Sequence, residues 1–361
     1  MKDSFLVSTF FTFFLITSSQ TGVGLLSFQN TIGKIAGHDS WISVLVTGLS
    51  LHIVLWMIYK LLTDSTNDII SIHAYCFGKF IGNFLSFLLA CYFLVLALVV
   101  FCNYILILHV WAFPNMKVWE LGLFISFIIY YIVSGGFRVL TGVSFLGTII
   151  PVLLFSVFLF FPVQYAKFNN LLPVFNLSLV DLIKSSKVSC ILFIGFESIL
   201  VYFPLIKNAK KSAKWAHLGV LYTTILYTLV AILSILFFSQ GQLLHNAWPT
   251  LVMTKIIEFP FIERFENIFI FSWLFVVVPT MCIPIWCTTR IVKKIGKVKP
   301  RIPLVISIVT MIIVSYFLDT PSKVQLFSKS VTNIGFYFMV GYIPALFFLT
   351  FIIRRLKKIV V

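Results

Sequence analysis

The chain has 361 residues, of which 60% are hydrophobic and only 11% charged, and its formal net charge is +16. A soluble domain carries roughly 25% charged residues to cover its surface, so this composition excludes a water-solvated fold and leaves lipid as the main solvent. The basic excess sits between apolar runs rather than along one continuous face, which argues for membrane topology and against nucleic-acid binding.

A bilayer crossing takes about 20 apolar residues, so a chain of this length holds about ten helices and leaves no room for a separate soluble domain. The apolar runs are unbroken over roughly twenty residues and do not alternate in ten-residue segments, so strands are excluded and the fold is read as an all-α membrane protein. The first run extends from Phe5 past Phe28 without a small-residue cleavage site and is read as a spanning helix, not a signal peptide. The spans of the first half are predicted at 5–33, 41–62, 80–110, 118–135 and 138–161.

In the first span the run Thr17, Ser18, Ser19, Gln20, Thr21, Gly22, Val23, Gly24 interrupts an apolar helix. Two glycines at spacing two weaken the helix, and the polar side chains before them can replace lost backbone hydrogen bonds, so a break lining a cavity is expected here. The alternative is close helix packing through small residues. His52, near the middle of the second span, is a candidate partner for a buried acid or an ordinary hydrogen-bonded histidine. On the third span Tyr92, Leu96, Val99 and Asn103 share a face that either lines a pocket or packs between helices.

After an outer loop from Pro162 to Lys184, the second half is predicted to span at 187–206, 214–238, 265–289, 302–319 and 332–353. The sixth span carries Phe193, Ile194, Gly195, Phe196, Glu197, Ser198 and, farther on, Pro204. Glu197 is the one carboxylate well inside an apolar run. A charge there costs several kcal/mol unless it is paired, protonated or wet, so it marks either a functional site or a structural hydrogen bond to a neighbouring helix. A second loop, Ser239 to Arg264, holds Trp248, Pro249, Phe259, Pro260 and Phe261 and reads as a short helical lid. The charges of Glu263, Arg264 and Glu266 at the start of the eighth span read as an interfacial ion cluster that fixes it. On the eighth span, Ser272, Val276, Pro279 and Thr280 share a broad face. The six cysteines show no metal-ligand spacing and are assigned to packing. Neither a metal site nor a cofactor is expected. One Glu and one His are too few intramembrane groups for an enzyme.

Most of the Lys and Arg fall on the side of the N-terminus if the chain crosses ten times, which places both termini in the cytoplasm. Five spans per half also make the halves, 5–161 and 187–353 within a single domain of residues 1–361, inverted repeats. Broken first helices in such repeats mark a midplane binding site, where freed N–H groups suit a carboxylate and freed carbonyls an ammonium. A small zwitterion such as an amino acid satisfies both. The expected ligand-binding residues are Thr21, Gly22, Val23, Gly24, Gly195, Phe196, Glu197 and Ser198, with Tyr92, Leu96 and Thr280 as walls.

The Gly-Val-Gly at 22–24, the Phe-Ile-Gly-Phe-Glu at 193–197 and the five-plus-five count resemble the amino acid, polyamine and organocation permease superfamily. With Leu-Leu-Pro at 171–173, Trp-Pro-Thr-Leu at 248–251 and Glu-Arg-Phe-Glu at 263–266, the arrangement more closely resembles the B subunits of bacterial spore germinant receptors, nearly end to end. The resemblance implies the leucine transporter fold, residence in the inner membrane of a dormant spore, recognition of a nutrient such as an amino acid, sugar or nucleoside, and A and C subunit partners. Proton- or sodium-coupled amino acid transport is the alternative use of the same pocket.

Overall fold

A computed structural model describes residues 6–63, 68–257 and 264–359, excepting the side chains of 153–157, 159 and 357–359. The first span is divided as expected. Helix α1 (Phe11–Gln20) stops where Thr21 becomes extended, a 3-10 turn runs over Val23–Leu26, and α2 (Phe28–Ala36) continues beyond. Then follow α3 (Ser40–Thr63), α4 (Ile69–Trp111), α5 (Val118–Ser134) and α6 (Phe137–Val163).

The second half opens with α7 (Leu179–Ser189), a 3-10 turn to Phe193, a break at Ile194 and Gly195, and then the short α8 (Ile199–Tyr202) flanked by 3-10 turns. The segments either side of this break, Leu179–Phe193 and Phe196–Leu205, are bent by 52°. Next come α9 (Ala213–Phe237), the lid helices α10 (Gln240–His245) and α11 (Pro249–Thr254), and then α12 (Phe265–Gly296), α13 (Arg301–Phe317) and α14 (Pro321–Tyr337). A π-helical turn over Phe338–Tyr342 leads into α15 (Ile343–Ile359). Among the described residues the only β pairing is an isolated parallel bridge, Val7 to Ile206, which ties the start of the chain to the end of the sixth segment.

Among the described residues five helical stretches are long and apolar enough to cross a membrane, or six with the bent pair, and Val118–Ser134, Phe137–Val152 and Arg301–Phe317 are shorter apolar helices. Large apolar side chains such as Phe124, Phe127, Tyr131 and Ile53 point outward, as lipid-facing side chains do. The chain is a multi-pass membrane protein. Helix α12 lies innermost, packed along α4 and α6, while α3 packs on α9, and α1 packs on α9, α6 and α12.

Three segments start well before their predicted positions. The third segment begins at Ile69, because Asp68 caps it through Ser71 N–H at 2.8 Å; a kink at Gly78 (φ 76°) then lets residues 69–77 fold back so that Gly82 abuts the backbone of Ala74. The sixth segment begins at Leu179, since Asp181, Lys184 and Lys187 dilute its hydropathy without stopping the helix. The tenth begins at Pro321 for the same reason, its first turns carrying Ser322, Lys323, Gln325 and Lys329.

The lid is helical where described and packs on α2. Gln29 Nε2 donates to Thr250 Oγ1 at 2.7 Å, and Asn30 Nδ2 donates to the Asn246 carbonyl at 3.0 Å. Arg264 donates to Glu266 at 2.9 Å; Phe259, Pro260, Phe261 and Glu263 lie outside the described residues.

Candidate functional site

The first break releases carbonyls at the end of α1, and neighbouring hydroxyls collect them. Thr280 Oγ1 on α12 lies 2.8 Å from the Ser18 carbonyl and 2.9 Å from that of Thr21, sharing its single hydrogen with Val276 of its own helix. Tyr227 donates to the Gln20 carbonyl at 3.0 Å, and Thr250 from the lid donates to Leu25 at 2.8 Å. A broken helix inside apolar surroundings is stable only with such replacements, because each lost backbone bond otherwise costs several kcal/mol in lipid. Pro279 removes one further N–H, and the carbonyl it frees, that of Phe275, meets the bare backbone of Gly147 on α6.

The second break is held by Glu197. Its Oε2 accepts the Gly195 N–H at 2.7 Å and its Oε1 accepts the Tyr92 hydroxyl at 2.8 Å, with the carboxyl fully buried. Gly195 has φ +125°, a conformation closed to side chains, and a Cβ built there would collide with the Ser19 carbonyl. Gln20 completes the joint. Its Nε2 donates to the Phe193 carbonyl at 3.1 Å, while its Oε1 accepts from Thr223 at 2.7 Å. The two breaks are thus interlocked, backbone against backbone, through Ser19, Gln20, Phe193 and Gly195.

The structure therefore brings together Thr21, Gly22, Gly195, Glu197, Tyr92 and Thr280. Val23, Gly24, Leu96, Phe196 and Ser198 are near in sequence to these groups; Val23, Leu96, Phe196 and Ser198 are buried. The hydroxyls of Thr17, Thr21 and Ser198 are buried without a hydrogen-bond partner among the described residues. Thr17 and Thr21 also line a cavity with Thr148 and Tyr222 that has room for about one water molecule. Neither Gly22 nor Gly24 has a positive φ; a Cβ would stand 3.2 Å from Thr280 Cγ2 at Gly22 and at an ordinary 3.5 Å from Leu192 Cδ2 at Gly24. His52 does not meet Glu197. Its Nδ1 lies 2.8 Å from that of His217 on α9, the rings stacked at 5.1 Å, because the register of α3 on α9 points it away from the breaks. Asn103 leaves the site as well, donating to Ser328 on α14 at 2.9 Å.

Sequence reasoning missed the contribution of the tenth segment. Gly335 abuts Ile194 at the second break, and a Cβ there would stand 3.7 Å from Tyr92 Oη. Phe338 stacks on Tyr92 at 4.6 Å, at the start of the π-helical turn. Such turns interrupt the regular ladder and recur at functional sites. The signal was a glycine followed by three aromatics, Gly335 to Phe338, in a segment otherwise read as plain apolar helix. Thr250 and Tyr227 were hidden for another reason: their hydrogen bonds to the first break cross more than two hundred residues of sequence.

Comparison with known proteins gives a consistent result. The spore germination protein family model matches residues 6–324. Spore germination protein GerQB of Bacillus cereus is 40% identical over 341 residues, covering 94% of each chain. Spore germination protein A2 of Bacillus subtilis (strain 168) is 25% identical over 373 residues, covering 98% of this chain and 96% of the relative. Among solved structures, a Na+-coupled sialic acid symporter in a substrate-bound outward-open state has a similar fold, with a TM-score of 0.64 at 12% identity over 97% of this chain and 81% of that one. In keeping with the resemblance to germinant-receptor B subunits, the chain belongs to the spore germination protein family.

Proposed function

We propose that this chain is the nutrient-binding B subunit of a spore germination receptor, resident in the inner spore membrane with A and C subunits as partners. In this reading it crosses the bilayer ten times as two inverted five-helix repeats within one domain, with both termini cytoplasmic. The ligand, a small molecule such as an amino acid, binds at the midplane between the two breaks. The observation that carries the reading is the interlock itself. Two discontinuous helices meet at Ser19 and Gly195, with a buried carboxyl and three partnerless hydroxyls around them. Discontinuous helices paired in this way form the substrate sites of secondary transporters. Binding rather than catalysis is the proposed role, without metal or cofactor.

A nutrient that binds the native state raises its thermal midpoint in proportion to the logarithm of its concentration. One class of nutrient is therefore expected to stabilise the full chain in lipid nanodiscs; no response to amino acids, sugars and nucleosides together would overturn the reading. The likeness in fold to a sodium-coupled symporter supports a second reading, coupled amino acid transport. Proteoliposome uptake separates the two, because a sensor binds labelled ligand without accumulating it.

The charge distribution makes the topology testable. Single cysteines replacing Lys210, within the basic 3-10 turn before α9, and Lys255, after α11, are expected to label from opposite faces of the membrane. Labelling from one face alone would refute the ten-span arrangement.

A further inference from the structure

The backbone and carboxyl groups at the breaks are largely committed to one another. Gly195 N–H is taken by Glu197, and the freed carbonyls of Ser18, Gln20 and Thr21 are taken by Thr280 and Tyr227. A ligand carboxylate then gains nothing from the Gly195 amide, and the cation nearest to this break along the sixth segment is Lys187. Lys187, in the last turn of α7, lies about two helical turns before the second break. Its ammonium sits 5.2 Å from the centre of the Phe336 ring and 5.1 Å from that of Tyr337. These two aromatics directly follow Gly335, which touches Ile194, and precede Phe338, which stacks on Tyr92. One short run of the tenth segment thus holds the lysine with two side chains and the break with the other two.

The neighbouring lysines are engaged differently. Lys184 pairs with Asp181 at 3.7 Å and Lys323 with Asp319 at 2.7 Å, whereas among the described residues no carboxylate pairs with Lys187. An ammonium set against ring faces keeps its capacity to take an anion, since aromatic faces attract the cation without using its N–H donors as a carboxylate does. Lys329 lies two turns before Phe336 on the same face of α14 and adds positive charge along the approach.

We propose that Lys187 is the carboxylate-recognising residue of this site, held ready by Phe336 and Tyr337, and that the ligand is therefore a small molecule with a free carboxylate. The assignment rests on the reading of the two breaks as a nutrient site and adds to it the residue that recognises the carboxylate. The competing role for Lys187 is structural. A cation in the last turn of a helix complements the carbonyl end, and that role needs no ligand.

The test uses the full chain in lipid nanodiscs and reads the thermal midpoint against the proteinogenic L-amino acids, their primary amides, inosine and D-glucose. The wild type is expected to be stabilised by at least one amino acid and not by its amide. In Lys187→Gln the half-maximal concentration should rise roughly tenfold or more, the effect of losing a hydrogen bond to a charged group, while the ligand-free midpoint changes little. Lys187→Arg keeps the charge and should restore most of the response, which also guards against a folding defect in the glutamine variant. Equal responses of wild type and Lys187→Gln to a carboxylate, equal responses to acid and amide, or stabilisation by inosine or glucose alone would overturn the assignment while leaving the pocket intact. Silence of the wild type toward every probe would overturn the pocket reading, and the assignment with it.

Discussion

Gly195→Ala is expected to deplete the folded protein from the membrane, whereas Gly24→Ala leaves its level near that of the wild type. The difference follows from the backbone. At φ +125° a residue with a Cβ pays on the order of 1–3 kcal/mol in conformational strain. Here the Cβ also runs into the Ser19 carbonyl, and its Cβ neighbour on Ser19 stands only 3.1 Å away. Backbone on the opposite break cannot give way cheaply, because Ser18, Gln20 and Thr21 are all tied to α9 or α12. At Gly24 the nearest atom, Leu192 Cδ2 at 3.5 Å, belongs to a flexible side chain at ordinary contact distance. Quantitative blotting of membrane fractions and the thermal midpoint of purified protein check the pair. Wild-type abundance and midpoint in Gly195→Ala would show that the two breaks do not need the close approach of their backbones.

How far the sequence was readable varied with the kind of signal. Both breaks were legible because glycine, polar side chains and a carboxyl are conspicuous inside apolar runs, and the family motifs sit on those same residues. The helices that carry charge were less legible. Asp181, Lys184 and Lys187 on α7, and Lys323 and Lys329 on α14, lower the local hydropathy, so both helices start earlier than an apolar run indicates. The partners of polar groups were not legible at all. Periodicity placed Tyr92 and Thr280 on plausible faces, but only the packing of α4 and α12 against the breaks decides that Tyr92 meets Glu197 and that Thr280 meets Ser18. For His52 the same uncertainty resolved the other way, toward His217. The ammonium of Lys187, the first residue of the predicted sixth span, escaped notice because its aromatic partners Phe336 and Tyr337 lie on a distant segment of the chain.

Glu197 separates fold from function most sharply, and two substitutions are expected to act in opposite ways. Glu197→Leu removes both acceptors, leaving the Gly195 N–H and the Tyr92 hydroxyl buried without partners at about 1–3 kcal/mol each, so the protein level should fall. Glu197→Gln keeps the shape. Its amide oxygen can still accept from Gly195, and its amide nitrogen can donate to Tyr92 Oη, since a phenol oxygen accepts as well as donates. Abundance should then stay normal. What glutamine cannot supply is the capacity to carry a negative charge and so to hold a ligand ammonium or exchange a proton, and the nutrient response should weaken about tenfold or change its pH dependence. Dose–response curves of spores carrying each variant, taken at several pH values beside membrane blots, provide the measurement. Normal abundance together with unchanged sensitivity and unchanged pH dependence in Glu197→Gln would reduce Glu197 to a clamp on the sixth-segment break, and ligand recognition would then fall to the backbone and to the side chains around it.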